Sequence, residues 1–170
     1  MNLLFWNINK KSPLKEIKIL CDSYDVDILV LAENELKDED ILYYLNEDFI
    51  APNNYNLPKI SFYTRIHKFQ IVDDNPFWGS IRKITHPSGI EILLVAVHLP
   101  SKCYKDESEQ SFIAIEVAQE IDKREQEQNH THTLVMGDFN MNPFEKGMIS
   151  SAGFHGVMDK KIATKLSRKV

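Results

Sequence analysis

Residues 27–33 read Asp27-Ile28-Leu29-Val30-Leu31-Ala32-Glu33. The unbroken apolar run predicts a strand from Asp27 to Ala32 with both faces covered, since a strand with one wet face alternates instead. A strand buried on both sides needs layers above and below it, and the flanking sequence supplies them. Upstream, Ser12-Pro13 opens a helix to about Asp22, with Pro in the first turn. Downstream, Asp38 to Leu45 reads as a second helix. The first apolar run of the chain, Leu3 to Trp6, is a short strand.

Working outward, the middle of the chain is β-rich. Lys59 to Thr64, Lys68 to Val72 and Ser80 to Thr85 are candidate strands, and His86-Pro87-Ser88-Gly89 is a turn by composition. Ile90 to Val97 returns as an apolar strand, which makes a hairpin. Asp106 to Gln128 is a long helix whose apolar face is drawn from Phe112, Ile113, Ile115, Val117, Ala118 and Ile121. Thr133 to Met136 reads as another buried strand. Asn142-Pro143-Phe144-Glu145 reads as a helix start, with Asn as cap, Pro at the first position and Glu at the third. This order predicts an α/β protein, either with one mixed sheet or with two sheets and helices outside.

Composition narrows the class. The chain has 170 residues, 43% hydrophobic and 26% charged, with a net charge of −5. That excludes a disordered chain, and six Gly with seven Pro exclude a collagen-like repeat. The length suits one domain burying roughly two-thirds of its unfolded surface. No apolar run approaches the ~18 residues that cross a bilayer. The start MNLLFWNINKK lacks the order of a secretory signal. With Cys21 and Cys103 as two reduced thiols, a cytoplasmic protein is expected. A pI near 5.7 does not suit a non-specific nucleic-acid binder. Local basic patches are still available at Lys10-Lys11, Arg65/His67/Lys68, Arg82-Lys83 and Lys102/Lys105, each of which reads first as solvated surface.

Four strands end alike. Leu3 to Trp6 ends in Asn7, Ile28 to Ala32 in Glu33, Ile92 to Val97 in His98, and Leu134 to Gly137 in Asp138-Phe139-Asn140. Rigid strands delivering polar groups at their carboxyl ends form the usual ligand edge of a sheet. Carboxylates and carboxamides suit a hard cation such as Mg²⁺ or Mn²⁺ and not zinc. A hard cation, an imidazole and amides together suit a phosphate group.

The ordered set FWNIN, DILVLAE, VAVHLPS and MGDFNMNP resembles the endonuclease/exonuclease/phosphatase superfamily, which includes exonuclease III-like enzymes, pancreatic deoxyribonuclease, deadenylases and neutral sphingomyelinases. The resemblance covers nearly the whole chain and implies a four-layer α/β sandwich with mixed sheets. It implies Mg²⁺-dependent phosphodiester hydrolysis, first on DNA or RNA. It assigns Glu33 as the principal Mg²⁺ ligand and Asn7 as the organiser of metal and phosphate. It assigns His98 to the scissile phosphate, Asp138 to the attacking water and Asn140 to phosphate or nucleophile. Mn²⁺ is an accepted substitute. A phospholipid or small-molecule phosphoester is the alternative substrate, and a degenerate member that binds metal or phosphate without turnover is the alternative outside enzymes.

Three departures accompany the resemblance. Ala32 stands where Gln often precedes the glutamate. Asn9 stands where some members carry an Asp. The terminal Asp-His pair is absent, and His155 lies too close to GDFN to replace it. The expectation is therefore a single domain over 1–170, incomplete at its C-terminus, whose last stretch from Lys160 holds five basic residues. Exposed apolar surface from a missing part would favour self-association. Asp138-x-Asn140-x-Asn142 fails as a calcium loop, with Pro143 and Ile149 where Gly and Glu belong. Asn142 is a helix cap, Glu35 surface, His130-Thr131-His132 a solvated edge and His155 a loop residue. Trp6 packs in the core, and Trp78 is either rim packing or a base-stacking aromatic.

Overall fold

The computed structural model describes residues 1–45, 47–52, 57–86, 88–129, 132–157, 159 and 161–162. Pro87 of the expected turn, His130, Thr131 and most of the basic stretch from Lys160 lie outside the described residues. Two compact units emerge. The first holds Met1–His98 and Arg124–Phe139; the second holds Leu99–Lys123 and the segment from Asn140 on.

The first unit contains two sheets. Strands β1 (Leu3–Asn7), β2 (Ile28–Ala32) and β3 (Ile60–Thr64) form one, in the order β1-β2-β3. Strands β4 (Phe69–Asn75), β5 (Gly79–Thr85), β6 (Glu91–His98) and β7 (Thr133–Asp138) form the other, in the order β4-β5-β6-β7. Each sheet is mixed: β1–β2 and β6–β7 run parallel, and the remaining neighbours run antiparallel. Every residue of β2 is buried, as its unbroken apolar run predicts. Its alternate side chains go to opposite layers. Leu29 and Leu31 join Ile17, Cys21, Ile41 and Tyr63 beneath helices α1 (Leu14–Ser23) and α2 (Asp38–Tyr44). Ile28 and Val30 face Ile84, Leu94 and Ala96 of the second sheet. The unit is an α/β sandwich of two stacked mixed sheets with helices on the outer face of the first.

The second unit is built on α3 (Glu107–Glu127), which contributes all but its last turn to it, and on the short helix α4 (Lys146–Ile149). Gly147 of α4 lies so close to Ala114 of α3 that a Cβ there would come within 2.8 Å of the Ala114 Cβ.

Several expectations need correction. Helix α1 begins at Leu14, and Pro13 is its cap, without a side-chain hydrogen bond. The buried stripe of α3 is Gln110, Ala114, Val117 and Ile121, at helical spacing; Phe112, expected inside, is 62% exposed. Its offset from that stripe turns it outward. Strand β7 is half-buried rather than buried, with Leu134 open to solvent, because β7 is the edge of its sheet. Asn142 does not cap a helix. It heads a turn closed by Glu145 N–H to Asn142 O at 3.1 Å, and α4 starts only at Lys146.

The largest correction concerns Arg82-Lys83, which is not a surface basic patch. Strand alternation sends the two side chains to opposite faces. Ser80, Arg82 and Ile84 point between the sheets, and Arg82 is fully buried. Its guanidinium lies 2.9 Å from Asp74 Oδ1 and 4.9 Å above the Phe62 ring. Burial pulls its pKa down, and Asp74 opposes the shift. Lys83, on the other face, pairs with Glu91 at 2.9 Å.

Candidate active site

Parallel pairing decides which strand ends meet. In the first sheet Asn7 sits opposite Ala32, which leaves Glu33 one residue beyond the end of β2. In the second, His98 sits opposite Asp138. Gly137, at φ +151°, lets β7 approach this closely, since a Cβ there would meet Val97 O at 2.0 Å. The glycine before Asp138 is thus a steric requirement of the register that sets Asp138 beside His98.

Asn7 joins the two sheets. Its carboxamide oxygen accepts the Asn9 N–H at 2.9 Å, so its Nδ2 is left to donate outward. That nitrogen donates to Glu33 Oε1 at 3.1 Å and to Asp138 Oδ2 at 2.8 Å. His98 Nε2 lies 3.1 Å from the same Glu33 oxygen. Against an ionised carboxylate, Nε2 carries the proton. His98 is 8% exposed, and its Nδ1 is buried without a hydrogen bond among the described residues.

Ligand atoms of Glu33, His98 and Asp138 all lie within 4.8 Å of one another. Two carboxylates this close repel. The Asn7 hydrogen bond nevertheless holds the Glu33 carboxyl below its usual range; partial burial and the Asp138 charge push the other way, and His98 adds to the lowering. The Glu33 and Asp138 oxygens form a negative, half-buried pocket whose chemistry suits a hard cation such as Mg²⁺.

The backbone at Glu33 is left-handed, φ +51°, an uncommon state for a glutamate. Flanking bonds hold it there. Its N–H donates to Lys59 O at 2.9 Å, and its carbonyl accepts from Lys10 N–H at 3.0 Å. The next residue, Asn34, donates to Ser61 Oγ and to Tyr63 Oη, both at 3.1 Å, and accepts from Leu36 N–H at 3.0 Å. Tyr63 in turn donates to Asp38 Oδ1 at 2.7 Å. Burial, with that bond to Asp38, raises the Tyr63 phenol and keeps it a donor. Asn34, Tyr63 and Asp38 escaped the sequence reading. The available signal was a polar-tipped Tyr in a strand that also carries Ser61 and Thr64.

Of the five residues expected at the site, Asn7, Glu33, His98 and Asp138 are brought together in the first unit. Asn140 belongs to the second unit. There, at φ +50°, it donates from Nδ2 to Leu99 O at 2.8 Å, and its carbonyl accepts from the buried Gln110 side chain at 3.1 Å. Glu35 is exposed and paired with Lys10 at 2.9 Å, and His155 is an exposed loop residue, both as expected. Trp78 is buried, 7% exposed, while its neighbour Phe77 is 78% exposed. Trp78 is tied to the site through its carbonyl, which accepts the His98 N–H at 2.8 Å.

The sequence profile of the Endonuclease/Exonuclease/phosphatase family matches residues 4–155. No match to a curated protein reaches significance at the level of sequence. Among solved structures, TDP2 from C. elegans aligns with a TM-score of 0.58 at 15% identity, over 84% of this chain and 48% of that one. The mannosyl-6-phosphatase Bt3783 of Bacteroides thetaiotaomicron aligns with a TM-score of 0.62 at 18% identity, over 86% and 68%. A D. rerio TDP2 complexed with single-strand DNA product aligns with a TM-score of 0.55 at 15% identity, over 85% and 62%. The chain thus spans about half the length of the nematode structure, and at these identities the likeness is one of fold.

Proposed function

The chain belongs to the endonuclease/exonuclease/phosphatase family, and from that premise we propose that it is a divalent-metal-dependent phosphodiester hydrolase acting on nucleic acid. The carrying observation is the Asn7 carboxamide bridging Glu33 and Asp138, with His98 on the same Glu33 oxygen. Two like charges held together by design call for a cation. Glu33 and Asp138 would hold Mg²⁺, with Mn²⁺ accepted in its place. When bound, the ion supplies positive charge to a phosphoryl oxygen. Asp138 orients the attacking water and takes its proton. His98 turns its Nε2–H from Glu33 Oε1 to a phosphoryl oxygen as negative charge grows there. Asn7 holds the two carboxylates at fixed separation. The D. rerio TDP2 complex with a DNA product supports a nucleic-acid substrate within this fold.

A second reading, a small-molecule or lipid phosphoester, is favoured by the fate of the basic residues. Lys10 pairs with Glu35, Arg65 with Asp25, Arg82 with Asp74, Lys102 with Glu145, and Lys105 with Glu109. Pairs of this kind leave less free positive charge for a polyanion. Plasmid nicking in Mg²⁺ and in EDTA separates the readings. Nicking that persists in Glu33→Gln or Asp138→Asn protein removes the site assignment. Hydrolysis of bis(4-nitrophenyl) phosphate without nicking selects the second reading.

No described helix is long and apolar enough to cross a membrane. Cys21 and Cys103 are free thiols, which fits the reducing cytoplasm proposed as the compartment.

A further inference from the structure

We propose that Phe77 is the stacking platform for a nucleobase attached to the phosphate at the site, so that this chain prefers nucleotide esters over phosphate esters without a planar ring. The proposal rests on the phosphoester reading of the Glu33–His98–Asp138 cluster and deepens it by naming the group next to the phosphate.

Four observations carry it. First, Phe77 is 78% exposed, and it lines the same cleft as His98, together with Leu57, Pro58, Pro76 and Trp78. Second, the turn that presents it is built rigidly. The Asn75 side chain accepts the Phe77 N–H at 2.9 Å. Buried Trp78 anchors the next position, and its carbonyl takes the His98 N–H at 2.8 Å, so the turn is tied to the backbone of a site residue. Gly79, at φ +149°, lets the turn close onto β6, since a Cβ there would meet Ala96 O at 1.9 Å. With the backbone held, a ligand that covers the ring orders only the two side-chain torsions of Phe77. Third, the surround is apolar apart from Lys59, Asn75 and the site residue His98, and the Asn75 oxygen is already engaged. Sugar hydroxyls packed against Leu57, Pro58 and Pro76 would find few partners to replace water, whereas the face of a base needs none. Fourth, the free volume of the cleft is only about 10 Å³, room for about one water, so a ring lies on Phe77 rather than entering behind it.

Calorimetry with adenosine 5′-monophosphate and with ribose 5-phosphate, in Mg²⁺, tests the proposal. Stacking on one aromatic predicts a preference of about 5- to 150-fold for the nucleotide. Phe77→Ala abolishes the preference, and Phe77→Trp keeps it. The ring is exposed, so both variants fold, which circular dichroism checks. Equal affinity of the wild-type chain for the two ligands, binding of neither, or a preference that survives Phe77→Ala overturns the platform. An equal loss of ribose 5-phosphate binding in Phe77→Ala also overturns it, in favour of a sugar-binding surface. The parent reading fails separately. A Phe77-dependent preference in a protein that hydrolyses no phosphoester sinks the hydrolase and leaves the platform. Nicking activity with a preference indifferent to Phe77 does the reverse.

Discussion

The sandwich contains two polar constellations of opposite design. Inside it, Arg82 is fully buried with its counter-charge Asp74 at 2.9 Å, and Ser80 Oγ donates to the same Asp74 oxygen at 2.7 Å. At the strand ends, Glu33 and Asp138 carry the same charge, and the neutral Asn7 amide bridges them. The first set is balanced in charge within the protein. The second is left negative, half-open, and held in place by a left-handed residue and a buried tyrosine network. Compensation marks architecture. Retained like-charge repulsion is what the proposed cation would relieve.

The contrast can be broken experimentally, and the largest effect is expected at the strand ends. Asp138→Asn should lower the hydrolysis rate by about 10²- to 10⁴-fold, the span of a positioned acid–base group. Its Tm, followed by calorimetry without metal, should hold or rise, because a like charge has been removed. A fall in Tm would mean that the pair is structural after all.

Arg82→Ala should do the opposite. Leaving Asp74 buried without its partner costs about 3–5 kcal/mol, read from urea denaturation, while turnover per folded molecule stays the same. The double variant Arg82→Met with Asp74→Leu should recover most of that loss, because apolar groups then replace both charges. Unchanged stability in Arg82→Ala would show that the pair contributes nothing.

Metal should distinguish the two sets again, with a smaller effect. At tenfold excess over its Kd, Mg²⁺ should stabilise the wild type by about 1.4 kcal/mol. The Glu33→Gln, Asp138→Asn double variant should show no such gain, and Arg82 variants that still fold should keep it. The smallest effect concerns acid. The folded Glu33 carboxyl lies below its ordinary value of 4.5. Its ionised form therefore adds stability that is present above that value and lost as pH falls through the lowered one. Glu33→Gln should flatten the decline in stability below about pH 4.5, measured by urea titration across pH. An acid limb identical to that of the wild type would separate Glu33 from the Asn7 hydrogen bond.

Much of this molecule was legible in order along the chain. The run from Ile28 to Ala32 announced a strand covered on both faces, and apolar runs closing on Asn7, Glu33, His98 and Asp138 marked four strand ends. Both signals are local, because strand burial and termination are written within a few residues. Arg82-Lys83 misled because adjacent charges in a strand face opposite layers, and which layer is the interior depends on the partner sheet. Trp78 could not be placed, and Phe77 was not singled out, for the same reason. Their exposures follow from how the turn returns to His98, 20 positions away in sequence. Phe112 was misplaced because α3 is apolar over more of its surface than it buries.

The sequence by itself determined the strand and helix order, the polar residue at each strand end and the chemistry those groups can offer. Only the tertiary structure decided that the four belong to one constellation. Asn7 reaches Glu33 across 26 positions and Asp138 across 131, and His98 reaches Glu33 across 65. Contacts over such separations come from sheet register and sheet stacking, which arise from the burial of Ile28, Val30, Leu94 and Ala96 and not from any pattern beside the residues that meet.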